Sequence, residues 1–263
     1  MRPSPGAEGA SRVVILGASN ISLGWYQLLS VLREQLAAPL EIYTAHGMGR
    51  SYCGVRSRFL TRQLPGILSC GLWEQLPEVP ELDPRPCVLI TDLGNDLVYG
   101  RTPLEVAQAA EQCIERLRQW NQGCRIVVTR PPVESVDSVG WFRFLLCRLL
   151  LFPFCPLTLA QAKAATVELD ELLQSMARDL EVEIMKPAPA GYGLDPIHVK
   201  RDCRQAAFED MLLPWRQERR PDDPVPRVST LRRPRPELRW IRGKPRTTTQ
   251  PSQLTDNVTV YAY

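Results

Sequence analysis

Val13-Val14-Ile15-Leu16-Gly17-Ala18-Ser19-Asn20 decides how the rest of this chain is read. Four apolar residues, three of them β-branched, end on a glycine. That is the pattern of a buried strand entering a tight turn. The next residues, Ile21-Ser-Leu-Gly-Trp-Tyr-Gln-Leu-Leu-Ser-Val-Leu32, place apolar side chains at helical spacing. A serine between strand and helix lies at the carboxyl edge of a sheet, where ligands of open α/β sheets bind. Unpaired N–H groups converge there, and the helix dipole favours negative charge. Ser19 is therefore a candidate nucleophile. Taken alone, it also fits a polar residue that caps the helix. The turn is not a phosphate loop: Gly17 and Gly24 do not make G-x-G-x-x-G, and no Gly-Lys-Ser/Thr follows.

The chain on either side keeps the same rhythm. Arg12 to Gly17 is the first expected strand and Leu40-Glu-Ile-Tyr-Thr-Ala45 the second. The second ends at His46-Gly47-Met48-Gly49-Arg50-Ser51, a loop whose glycines let the backbone come close to a ligand. A helical segment broken near Pro65-Gly66 is expected next. A Pro-rich connector over Leu76 to Pro86 then leads to Cys87-Val-Leu-Ile-Thr91, a third buried strand that ends at Asp92-Leu-Gly-Asn95-Asp96. Thr102, Pro103 and Glu105 carry the signature of a helix start, and the helix runs to Trp120, closed by Asn121-Gln-Gly123. Arg125-Ile-Val-Val-Thr129 is a fourth strand and Val182-Glu-Ile-Met185 a fifth. Thr158 to Leu180 is an amphipathic helix between them, and residues 200–213 form a last one. Strands alternating with helices imply a mainly parallel sheet covered on both faces, with polar turns meeting on one edge.

Residues 140–157, Gly-Trp-Phe-Arg-Phe-Leu-Leu-Cys-Arg-Leu-Leu-Leu-Phe-Pro-Phe-Cys-Pro-Leu, interrupt that rhythm. Arg143, Arg148, Pro153 and Pro156 argue against a membrane span, which takes roughly 18 or more uninterrupted apolar residues. A core helix, a lid or acyl-binding wall, and a peripheral membrane contact are all open readings.

Length allows one large domain or two small ones among 263 residues. Residues 1–11 are expected to be a flexible start; the first ten lack the apolar run of a secretory signal. The eight cysteines form no C-x-x-C pair and are expected to be small buried hydrophobes in a reducing, cytoplasmic setting. From Pro214 onward there are eleven Lys/Arg and five Asp/Glu, against 21 and 24 before it. The basic character thus belongs to the tail, and no nucleic-acid partner is expected for the body. The tail, 214–263, is rich in Pro and Arg and expected to be disordered, able to contact acidic partners or a membrane surface. Only Val258-Thr-Val-Tyr-Ala-Tyr263 offers a stretch that could pair with a sheet edge.

His46 and His198 are the two histidines. His198 follows Asp195 by three residues, a spacing that lets a carboxylate hold one imidazole nitrogen and leave the other toward a nucleophile. A loop-stabilising pair has the same spacing. Four blocks together resemble the SGNH (GDSL-like) hydrolases: Gly17-Ala18-Ser19-Asn20, Gly49, Gly94-Asn95-Asp96 and Asp195-Pro-Ile-His198. The resemblance spans Arg12 to Leu213 and implies a three-layer α/β/α domain of flavodoxin-like type, with a mainly parallel five-stranded sheet over residues 12–213. It implies Ser19 as nucleophile, His198 as general base, and Asp195 as the group that orients the imidazole. It implies an oxyanion hole from the N–H groups of Ser19 and Gly49 and the amide of Asn95. No metal or organic cofactor is implied. The substrate would be a small-molecule, lipid or sugar ester cleaved through an acyl-enzyme. His46, Arg50 and Asp96 are candidate pocket residues; a structural loop histidine, a solvated arginine and a loop brace are the plainer readings.

Two positions depart from the family pattern. Ala18 stands where an aspartate usually precedes the serine, so hydrogen bonds made by that carboxylate must be replaced or absent. Leu93 stands where the third block usually has its first glycine. Ala18 and the basic tail keep a second reading open: a non-catalytic binding or scaffold protein on the same fold.

Overall fold

A computed structural model describes residues 9–77, 84–153, 155–216, 232–255 and 257–263. Of the expected flexible start 1–11, residues 1–8 lie outside these residues, while Ala10 is buried and Ser11 already begins the first strand; the tail stretch 217–231 also lies outside.

In chain order the strands are β1 (Ser11–Leu16), β2 (Leu40–Ala45), β3 (Arg56–Phe59), β4 (Arg62–Pro65), β5 (Cys87–Ile90), β6 (Arg125–Thr129), β7 (Glu183–Met185), β8 (Leu238–Ile241), β9 (Lys244–Thr247), β10 (Gln253–Leu254) and β11 (Val258–Ala262). The α-helices are α1 (Ser19–Leu23), α2 (Trp25–Gln35), α3 (Leu72–Gln75), α4 (Asn95–Val98), α5 (Pro103–Trp120), α6 (Val133–Asp137), α7 (Trp141–Leu151), α8 (Leu159–Asp179) and α9 (Arg204–Met211). The main sheet runs β10-β11-β2-β1-β5-β6-β7, parallel except where β10 pairs with β11. The five strands read from the sequence are all present.

β1 is buried along its whole length because the sheet is covered on both sides. Val14, Leu16, Val88 and Val128 pack on one face against α5 and α8, while Val13, Ile15, Leu89 and Val127 pack on the other against α2 and α9. This is a three-layer α/β/α arrangement. The long helices start as their sequences dictate. Thr102 accepts from Glu105 N and Thr158 from Gln161 N, and both form complete capping boxes.

Three expectations change. The segment after the second strand is not helical before Pro65. Residues 56–65 form the β3–β4 hairpin, which β8 and β9 extend into a four-stranded antiparallel sheet. The tail is ordered where it is described. β11 lies parallel to β2, with Val258, Val260 and Ala262 inward and Tyr261 stacked on Tyr43 at 4.7 Å between ring centroids. The physical reason is the edge of β2: without a neighbour, its backbone N–H and C=O groups would stay unpaired. Finally, the 140–157 segment is not a core helix, because no residue of α7 is buried.

Candidate active site

Gly17 ends β1 where only glycine fits: a Cβ there would stand 2.7 Å from Ile21 Cγ1 and 2.9 Å from Thr91 Cγ2. The turn delivers Ser19 to the first position of α1, almost fully buried. His198, from the loop after β7, places Nε2 2.8 Å from Ser19 Oγ. Asp195 Oδ2 bonds the other ring nitrogen, Nδ1. With Nδ1 donating to the carboxylate, Nε2 is left to accept the serine proton. Asp195 Oδ1 also accepts from Ile197 N at 3.1 Å and His198 N at 3.2 Å. Burial alone would raise the Asp195 carboxyl. The hydrogen bond and charge of His198, with those two N–H groups, outweigh it and hold the carboxyl below its ordinary value. The structure thus brings together the serine, histidine and aspartate expected from the sequence.

The turn has no aspartate beside the serine, and a carboxylate reaches it from the next strand. Asp92 Oδ2 accepts from Ala18 N at 2.8 Å and from Asn20 N at 3.0 Å. Asp92 Oδ1 accepts from Asn20 Nδ2 at 2.7 Å. Asp92 adopts φ +64°, a left-handed conformation that aspartate tolerates better than most residues. Asn20 continues the chain of contacts to the histidine loop: Nδ2 donates to Ile197 O at 3.0 Å, and Oδ1 accepts from Val199 N at 2.9 Å. Reading the sequence missed both residues as site components. The available signal was the gap at Ala18, which required a substitute acceptor.

β2, β1 and β5 are neighbours in the sheet, so the loops carrying Gly49, Ser19 and Asn95 leave it side by side. Among the described residues, the main-chain N–H groups of Ser19 and Gly49 donate to no protein acceptor. Gly49 has φ +70°, and a Cβ there would sit 3.0 Å from Tyr99 Oη and 3.3 Å from Phe59 Cβ. Asn95 begins α4 and is buried against the site cavity.

The three candidate pocket residues make contacts of their own. His46 stacks on Trp25, with 5.1 Å between centroids, and its Nδ1 lies 2.7 Å from Thr44 Oγ1. Burial, with the charges of Arg50 and Arg62, pushes its pKa down to about 3. Arg50 is not solvated. It is fully buried, with Nε donating to Pro65 O at 3.0 Å and Nη1 to the main-chain oxygen of Tyr263, where it ties the loop to β11. Asp96 turns away from the site. It accepts from Ser51 Oγ, and from Tyr52 N at 2.9 Å, so it braces the 51–53 loop. Burial raises its pKa against those bonds.

A cavity of about 110 Å³ opens beside this cluster. Its lining combines Asn20, Asp92, Asn95 and Ile197 with the apolar Val136, Phe144, Leu151 and Phe152. Ser19 and His198 do not line it. Their sequence neighbours Asn20 and Ile197 do, so the cavity flanks the Ser19–His198 pair. The groups of three or more His, Cys, Asp or Glu that could hold a metal ion are absent among the described residues.

Neither a family model nor a curated protein sequence matches this chain. Among solved structures, it is similar to a protein described as a GDSL-like lipase from Parabacteroides merdae. That match is 12% identical, covers 80% of this chain and 98% of the other, and has a TM-score of 0.51. An aryl esterase from M. smegmatis is similar over 78% of this chain and 96% of its own, at 16% identity and a TM-score of 0.46. The strand order, the parallel sheet between two helical layers and the first of these likenesses together give this chain an SGNH hydrolase-like fold.

Proposed function

We propose that this protein is a serine ester hydrolase that works through an acyl-enzyme. The observation that carries the reading is the 2.8 Å contact between His198 Nε2 and Ser19 Oγ, with Asp195 on the opposite ring nitrogen. Ser19 Oγ attacks the ester carbonyl while His198 Nε2 takes its proton. The carbonyl oxygen becomes an oxyanion, received by the N–H groups of Ser19 and Gly49 and the amide of Asn95. The C–O bond to the alcohol then breaks, and His198 returns the proton to the departing alkoxide. Water repeats the sequence on the acyl-enzyme, giving up a proton to His198 and releasing the acid and Ser19. Asp195 stabilises the imidazolium at each stage and stays ionised. The apolar walls of the adjoining cavity favour an ester with an apolar acyl or alcohol part.

A fluorophosphonate probe tests this directly. The wild type should be labelled at Ser19 and should hydrolyse a chromogenic butyryl ester, and Ser19→Ala should do neither. Unlabelled wild-type protein, or full turnover by Ser19→Ala, rejects the mechanism and favours a non-catalytic binding protein.

A further inference from the structure

α7 is built inside out. At 3.6 residues per turn, Trp141, Phe142, Leu145, Leu146, Leu149 and Leu150 occupy about half its circumference. All six face outward, with Phe142 75% and Leu149 70% exposed. The inward half carries Arg143, Phe144, Cys147, Arg148 and Leu151, and of these all but Arg143 line the cavity. Leu194, 87% exposed, adjoins this face: Arg143 Nε donates to Leu194 O at 2.6 Å and Nη2 to Gly193 O. Leu194 immediately precedes Asp195.

We infer that this face of α7, with Leu194, docks on the surface of a lipid bilayer. The outward half contains no polar side chain, and the helix contains no acid. Arg143 and Arg148 fall at the two borders of the apolar arc; Arg143 is held by the Gly193 and Leu194 carbonyls, which leaves Arg148 as the cation placed to meet lipid phosphate while its neighbours enter the acyl layer. Arg148 makes no side-chain hydrogen bond among the described residues, so its guanidinium is free for a phosphate. At eleven residues, roughly 16 Å, the helix is too short to cross a bilayer and lies in its plane. No helix of the described residues is long and apolar enough to span. A protein partner fits less well. The outward arc offers apolar side chains alone, with none of the amide, hydroxyl or acid groups that pair across a protein interface. The other face of the helix roofs the apolar cavity beside Ser19, so docking would set that cavity against the acyl layer. Arg143 would join the docked helix to the loop that carries Asp195 and His198.

Flotation with vesicles tests the surface without depending on turnover. The full chain should float with mixed phosphatidylcholine–phosphatidylglycerol vesicles, and less with phosphatidylcholine alone. The double variant Leu145→Glu, Leu149→Glu, altered only at outward positions, should lose partitioning about tenfold or more while melting as the wild type does. Ser19→Ala should float like the wild type, so a failed esterase reading leaves this result standing. Wild type that stays at the bottom of the gradient with both vesicles, or a double variant that floats equally, overturns the inference. A non-floating wild type that migrates as a dimer, and becomes monomeric in the double variant, assigns the face to a second copy of the chain instead.

Discussion

Asp92 and Asn20 are joined twice, by the backbone N–H of Asn20 at 3.0 Å and by its side-chain amide at 2.7 Å. Asn20 also holds both main-chain groups that flank His198, through Ile197 O and Val199 N. The end of β5, the serine turn and the histidine loop are therefore one hydrogen-bonded unit. The separation of Ser19 Oγ from His198 Nε2 is set by these contacts as much as by the two side chains.

Removing either member of that unit should cost activity through geometry. Asp92→Ala leaves the N–H groups of Ala18 and Asn20 without their acceptor, a loss of about 1–3 kcal/mol in stability. Asn20→Ala releases the histidine loop. Both variants should lower kcat about 10- to 100-fold, the range expected when reacting groups drift by about an ångström, with KM changing little. Steady-state kinetics on a chromogenic ester alongside thermal melts will separate the two effects. Unchanged kcat in Asn20→Ala would mean that the link does not position the histidine.

Asn95 acts, on the proposed reading, only once negative charge has formed on the substrate oxygen. Asn95→Ala should therefore reduce kcat by about 10²–10³ while leaving KM near its starting value. A variant that raised KM alone would place Asn95 in ground-state binding.

His46 supplies a pH signature that is independent of catalysis. Its pKa falls from an ordinary 6.5 to about 3 in the folded chain. Between those values the unfolded chain takes up a proton that the folded chain refuses. Folding therefore weakens as pH drops through that window. His46→Asn removes the difference, so its melting temperature should fall less steeply than the wild type's between about pH 6.5 and pH 4. Parallel curves for the two proteins would show that His46 is protonated normally in the fold.

The C-terminal strand should behave as core. Val260 is fully buried against β2. Val260→Asp places an unpaired carboxyl there and should cost about 3 kcal/mol or more, visible as a lower urea midpoint. β2 separates β11 from the strand that carries the serine turn, so residual folded protein should keep its kcat. A variant as stable as the wild type would mean that β11 is not docked in solution.

Local patterns carried much of this molecule. The apolar run 13–16 ending on Gly17, four further strands, the helix start at Thr102, and the Asp195–His198 spacing were all legible in the sequence. Each depends on residues within a turn or a few positions of one another, where propensity and periodicity act directly. The edge strand β11 was only partly legible. Its five residues alternate correctly, but nothing nearby in sequence announces that β2 lacks a neighbour. The buried Arg50 was misread for a similar reason: its acceptors are Pro65 O and the main-chain oxygen of Tyr263.

The alternating α/β order, the serine at a strand end and the histidine–aspartate pair were written into the linear chain. Those follow from side-chain period and turn chemistry over short stretches. It took the folded molecule to set Asp92 bracing a turn 74 residues away, α7 with its leucines outward, and the basic tail ending as sheet. Such outcomes depend on which unpaired group or exposed face is left when distant segments meet, and a linear pattern carries no record of that.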